Sequence, residues 1–227
     1  MFRAALFLAL LACVAISVAA AAEGAGGSPQ DGRAGAEAQA LSSLERAEIL
    51  KGKVVLRELP NPGRQGRTYE AIGVLPGSLE EALAAITDYR HYPEFMPRVE
   101  RTVVTDESDS VSLVEQHLKL PLGVSRRCRL RYAVQRGDDG FRVEWEKVPW
   151  PEVPLSQSIA ETSGHWQVGR FDQGGLLALY HVYTDPGRVP LGMKGLALSF
   201  SKHEVPKVLD KVRQRLRLLS TPRPVKD

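Results

Sequence analysis

Cysteine is scarce in this chain: 227 residues contain only Cys13 and Cys128. A framework of disulfides is therefore excluded, and stability has to come from a buried core. The five histidines, His91, His117, His165, His181 and His203, show no metal-ligand spacing, and no paired-cysteine motif accompanies them. No Gly-x-Ser-x-Gly elbow, phosphate-cradling glycine loop or dinucleotide fingerprint occurs, so no cofactor is implied. Internal repeats and a second linker are also lacking, which leaves one domain over roughly 41–220.

What is present begins with a run of apolar residues. Arg3 is followed by Ala4 to Ala22, ending in four alanines before Glu23-Gly24. That layout reads as a secretory signal peptide over 1–22, hence an exported, periplasmic or extracellular protein. The alternative is an uncleaved segment that anchors the chain to a membrane. Cleavage would leave Cys128 as the single cysteine. Residues 23–40 are a low-complexity tether with little to bury.

The formal charge of +3 is unevenly spread. Residues 202–227 hold eight Lys/Arg against three acids, including a basic tail over 221–227. Lys207, Lys211, Arg213, Arg215 and Arg217 lie off the apolar stripe of the last helix and offer a peripheral contact for an anionic membrane. A plain solvated helix face is the bland alternative. Arg127, Arg129 and Arg131 alternate with apolar residues opposite a strand carrying Glu144 and Glu146, so cross-strand ion pairs explain that stripe without nucleic acid.

Local signals order the elements. Ser42 to Lys51 forms a short helix stopped by Gly52. Lys53–Leu59 and Thr68–Leu75 are strands joined through Asn61-Pro62-Gly63. Ser78 and Glu81 make a capping box, and Leu79, Ala82, Leu83 and Ile86 give the helix behind it one apolar face, ended by Pro93 and Pro97. Six strands then alternate with tight turns: 99–105, 111–120, 125–135, 141–148, 162–171 and 176–184. A last helix, from about Leu191 and kinked or restarted at Pro206, aligns Val205, Val208, Leu209, Val212, Leu216 and Leu219. The fold class is α+β, a curved antiparallel sheet of about six to eight strands around a long C-terminal helix, with a short helix near the start.

The segment "AIGVLPGSLEEALAAITDYRHYPEFMPRV" over 71–99 resembles the opening of the START-like helix-grip (SRPBCC) superfamily, nearest its polyketide cyclase/dehydrase and coenzyme Q-binding-protein group. Asp88-Tyr89, Tyr92-Pro93, Phe95 and Pro97 carry the likeness, joined by Gly164-His165-Trp166 and Val205-Pro206-Lys207-Val208-Leu209. The resemblance implies a cavity between sheet and helix, with Tyr89, Tyr92, Phe95 and Met96 at its entrance. The same rings serve equally well to close a core.

Polar and aromatic candidates inside follow from the strands. Glu115, Gln116 and His117 are the polar part of an apolar strand, and one of them, Glu115 and His117 foremost, is expected to place a hydrogen-bonding group in the cavity beside Tyr132, Tyr180 or Tyr183. Trp145, Trp166 and Leu209 are expected to line the space, and Trp150, in the proline-rich loop 149–155, either to cover it as a lid or, equally, to pack on the sheet as part of a proline-rich crossover. Cys128 reads as a small buried hydrophobe. The expected function is a carrier for a hydrophobic small molecule such as a lipid or isoprenoid quinone. The alternative is a cyclase/dehydratase acting on a polyketide-like substrate in the same cavity, and a module with a filled core and no ligand is the third reading.

Overall fold

A computed structural model describes residues 41–120, 123–171, 174–187 and 194–220, with side chains in the last helix described from 202 to 219. The expected signal peptide over 1–22, tether over 23–40 and basic tail over 221–227 lie outside the described residues. Among the described residues no helix is long and apolar enough to cross a membrane.

Helix α1 (Ser43–Leu50) begins at a capping box in which Ser42 and Glu45 satisfy each other's backbone N–H groups. Gly52, at φ +81°, turns the chain out of it, a conformation that other residues rarely adopt. Strands β1 (Val55–Leu59) and β2 (Arg67–Leu75) pair antiparallel. The second capping box, Ser78 with Glu81, starts α2 (Leu79–Thr87), which buries Ala82, Ala85 and Ile86.

Pro93 does not end that helix. The chain leaves α2 at Asp88, makes a 3-10 turn over Tyr89–His91, and re-enters a single helical turn, α3 (Tyr92–Phe95), with Pro93 in its first turn. Proline is tolerated there because the first helical N–H groups have no intrahelical partner to lose. The Tyr92 hydroxyl donates to the Ile86 carbonyl and so satisfies an acceptor left open at the end of α2.

Six further strands follow: β3 (Val99–Glu107), β4 (Val111–Lys119), β5 (Ser125–Gly137), β6 (Gly140–Val148), β7 (Glu161–Arg170) and β8 (Leu176–Asp185). The eight strands form one antiparallel sheet in the order β1-β2-β8-β7-β6-β5-β4-β3. Helices α2 and α3 carry the chain from β2 to the far edge, and the meander returns to pair β8 with β2. Register shifts at Val99/Arg101 and Val104/Asp106 interrupt the β3–β4 ladder, and such bulges bend a strand.

Helix α4 (Lys194–Ser220) runs through Pro206 without a break and lies against β2, β1, α2 and α3. Val205, Leu209, Val212 and Leu216 are buried, whereas Leu219 is exposed, so the apolar stripe stops one turn earlier than its spacing suggests. At 25 cal/mol per Å2 such side chains contribute about 1.5–3 kcal/mol each. A second, smaller core on the outer face packs Ile49 of α1 against Ile72, Leu177 and Leu179.

Two of the five basic residues expected to face a membrane turn inward. Arg213 is buried, with Nε 2.7 Å from the Val74 carbonyl and Nη1 3.1 Å from that of Gly52. Its guanidinium occupies the space over Gly73, where a Cβ would meet Nη2 at 2.5 Å. Arg215 reaches Asp88 at 2.9 Å and Glu94 at 3.3 Å, with its guanidinium over the Phe95 ring. Both arginines hold the helix to the body of the domain. Lys207, Lys211 and Arg217 remain on the outside.

Candidate functional site

Between the inner face of the sheet and α4 lies an open cavity of about 220 Å3. Its position follows from strand parity. On β5 Cys128, Leu130 and Tyr132 point inward and are buried, while Arg127, Arg129 and Arg131 point outward. On β6 the inward set is Phe141, Val143 and Trp145.

The aromatic side chains singled out in the sequence form one connected series. Phe95 meets Tyr92 edge-on at 5.5 Å, Tyr92 meets Tyr89 at 5.4 Å, and Tyr89 meets Tyr132 at 4.4 Å. Tyr132 lies 6.1 Å from Trp145, which stacks on Tyr180 at 5.3 Å, and Tyr180 lies 4.7 Å from Trp166. Pairs at these distances are worth about 0.5–1.5 kcal/mol beyond their burial. Tyr92, Tyr132, Trp145, Trp166, Tyr180 and Met96 line the cavity. Tyr89 and Phe95 stand behind them, so the segment 89–96 both closes the core and supplies part of the wall.

The wall depends on Gly164, the glycine of the Gly-His-Trp motif. It pairs with Trp145 in register, and a Cβ there would stand 2.5 Å from the Trp145 ring. The bare backbone lets the indole lie against the sheet and reach Tyr180. Leu209 is fully buried but packs on β2, within 3.1 Å of where a Gly73 Cβ would be, and does not line the space.

The polar lining differs from expectation. Glu115 and His117 lie on the outer face: Glu115 accepts from Arg129 at 2.8 Å, and the His117 ring sits 6.3 Å from Trp150. Burial, then Arg101 and Arg127, hold the His117 imidazole below its ordinary pKa. The residue between them, Gln116, points inward and donates from Nε2 to the Tyr132 hydroxyl at 3.1 Å. Apolar residues occupy both parities of β4, so its own pattern does not orient it. The signal that does lies in the partner strand, since Glu115 pairs in register with Arg129 of the charged face.

Trp150 is likewise outside. Its ring lies under the Arg129 guanidinium at 4.9 Å and near that of Arg127 at 5.9 Å, so it covers the arginine stripe rather than the cavity. Cation–π attraction to two arginines fixes it there.

Burial keeps the lining hydroxyls and the thiol protonated. Desolvation raises Tyr92, Tyr132 and Tyr180 above the usual phenol range and pushes Cys128 up to about 12. These groups are neutral hydrogen-bonding partners at physiological pH. Among the described lining residues the carboxylate is Glu204, and none is a histidine. No group of three or more His, Cys, Asp or Glu among the described residues is placed to hold a metal ion.

Sequence reasoning missed the rim. Arg67 and Thr184, paired near the start of β2 and the end of β8, line the cavity together with Pro97, Arg98, Leu120 and Glu204 of α4. Arg98 has a left-handed backbone, φ +66°, and its carbonyl accepts from the Lys119 N–H at 2.9 Å. No local pattern marks these positions.

Solved structures with the same fold include a STAR-related lipid transfer protein fragment from Xanthomonas axonopodis. It is 20% identical, with a TM-score of 0.63 over 72% of this chain and 93% of that one. Human StAR-related lipid transfer protein 5 is 13% identical, with a TM-score of 0.63 over 83% of this chain and 96% of the other. The Zhui aromatase/cyclase from Streptomyces sp. R1128 is 12% identical, with a TM-score of 0.53 over 74% and 98%. No curated protein sequence matches this one. The family model described as polyketide cyclase / dehydrase and lipid transport matches residues 75–212, from the end of β2 well into α4. With more than half its length matched and the START-like fold in place, the chain belongs to the polyketide cyclase / dehydrase and lipid transport family.

Proposed function

We propose that this protein is an exported, noncatalytic carrier that encloses a hydrophobic small molecule between the sheet and α4. One observation carries the reading: the inner face is not packed solid, and an open cavity walled by Tyr92, Tyr132, Trp145, Trp166 and Tyr180 remains. Burying apolar surface there supplies affinity. The Gln116–Tyr132 pair supplies a buried polar anchor beside the aromatic wall. At about 220 Å3 the space is smaller than the roughly 300–1,000 Å3 of drug-sized sites, which favours a compact guest or one whose end protrudes through the opening. A full-length lipid or quinone would need its chain outside or the walls to part.

Native mass spectrometry of gently purified protein tests this. A co-purifying apolar molecule that Trp166→Ala releases supports the carrier. A preparation free of ligand that binds no neutral apolar dye, with the mutant behaving alike, refutes it.

The cyclase/dehydratase alternative draws on the family description and on the aromatase/cyclase among the structural relatives. Such an enzyme would use Tyr132 and Gln116 rather than Glu115 and His117, and turnover of a polyketide-like substrate would fall on Gln116→Leu. Export rests on residues 1–22, and N-terminal sequencing of secreted protein would place the cleavage site. Adhesion to anionic membranes rests on Lys207, Lys211 and Arg217, and vesicle co-sedimentation with the triple alanine variant would test it.

A further inference from the structure

Tyr180 combines depth in the wall with a hydroxyl that the fold does not use. Its ring packs against two indoles, stacked on Trp145 at 5.3 Å and 4.7 Å from Trp166. Burial raises its phenol above the ordinary range, and no charged side chain contributes. The residue is nevertheless partly exposed, so the surface it shows is turned to the cavity that it lines. Its hydroxyl has no hydrogen-bond partner among the described residues, and unlike the Tyr89 hydroxyl it is not sealed in. The other two phenols of the lining are engaged: Tyr92 donates to the Ile86 carbonyl, and Tyr132 accepts from Gln116. Tyr180 raises the pKa of both through space, which places the three phenol groups close together.

We infer that the Tyr180 hydroxyl selects the ligand by donating a hydrogen bond to a carbonyl oxygen on a compact, uncharged and otherwise apolar molecule. This inference rests on the carrier reading and narrows it from any hydrophobic molecule to a ketone, ester or quinone. A plain hydrocarbon would leave the O–H without an acceptor in a desolvated wall, which costs more than the net gain of making the bond. An alcohol brings a donor and an acceptor, and one hydroxyl contact leaves one of them unpaired among the rings. A carbonyl brings an acceptor alone. An ionised head is disfavoured at this position, because no charged group lies near enough to shift Tyr180 and the indoles cannot replace lost hydration.

Two isosteric compounds test the claim: 2-acetylnaphthalene, and 2-isopropenylnaphthalene, in which a methylene replaces the carbonyl oxygen. Each is titrated against the purified full chain loaded with the fluorescent dye N-phenyl-1-naphthylamine, in wild type and in Tyr180→Phe. Comparing the two proteins for each compound cancels the difference in hydration between the compounds. The substitution should weaken the ketone about three- to tenfold relative to the alkene. In difference infrared spectra the carbonyl stretch of the bound ketone should lie lower in wild type than in the variant, a signature that a change in packing alone does not give. The ligand-free variant should melt no lower than wild type, because no hydrogen bond within the protein is lost. A clearly lower melting temperature would show that the hydroxyl serves the fold and would overturn the inference. Equal effects on ketone and alkene, or a carbonyl stretch that does not move, overturn it too and leave the carrier reading standing. Failure of both compounds and of the dye to bind overturns the two together.

Discussion

Trp145 lies across the bare backbone of Gly164, so close that a Cβ on the glycine would come within 2.5 Å of the indole. The same Cβ would also meet the His181 carbonyl of the neighbouring strand. Neither the ring, stacked on Tyr180, nor the sheet backbone gives way cheaply. Gly164→Ala is therefore expected to cost about 1–3 kcal/mol and to tilt Trp145 into the cavity. Urea melts and near-ultraviolet circular dichroism would show both, together with a loss of apolar probe binding.

Tyr132→Phe removes the acceptor of the Gln116 amide and leaves Nε2 with an unfilled donor inside the sheet. The expected loss is about 1–3 kcal/mol of stability. Replacing both residues, by Phe and Leu, should recover part of that loss, since no buried donor then lacks a partner. Denaturant midpoints of the single and double variants measure the coupling.

His165 gives the fold an acid limit. Burial, then Arg142 and His181, lower its pKa from 6.5 to about 3. Below pH 6.5 the unfolded chain takes up a proton that the folded chain refuses until about pH 3, so this group lowers stability as pH falls across that window. The slope approaches about 1.4 kcal/mol per pH unit for one proton. His165→Gln should flatten that limb in thermal melts collected between pH 7.5 and pH 4.

Asp88 works over a lower range. Burial alone would raise its pKa, but His91 at 2.5 Å and Arg215 at 2.9 Å outweigh it and depress it. Its contribution is present above the ordinary carboxylate value and is lost as pH falls through the depressed one. Asp88→Asn should cost about 1 kcal/mol at pH 7 and loosen the C-terminal half of α4, measured by amide exchange at residues 209–217.

Trp150→Ala supplies the contrast. With the ring over Arg129 and Arg127 outside the cavity, the change should leave apolar probe affinity unaltered and lower stability by less than about 1 kcal/mol. A marked loss of binding would return the loop to the role of a lid.

The strand and helix order was legible in the chain because its causes are local. Capping boxes at Ser42 and Ser78, glycine turns, and the clean alternation of β5 and β6 each act within a few residues. The aromatic set was legible too, since large rings on inward positions have to meet. Orientation was not legible wherever a strand carried apolar residues on both parities, as β4 does, because a one-residue slip exchanges its faces. That slip is what separated Gln116 from Glu115 and His117.

By itself, then, the sequence determined the meander, its flanking helices and the collection of rings, through periodicity and turn chemistry. Only the tertiary structure decided that Arg213 and Arg215 turn inward, that Trp150 sits outside, and that Arg67 and Arg98 line the cavity. Each of those outcomes depends on partners brought from distant parts of the chain, such as Val74 for Arg213 and Asp88 for Arg215. Long-range pairing competes with solvent for every charged side chain, and no local pattern records which contact wins.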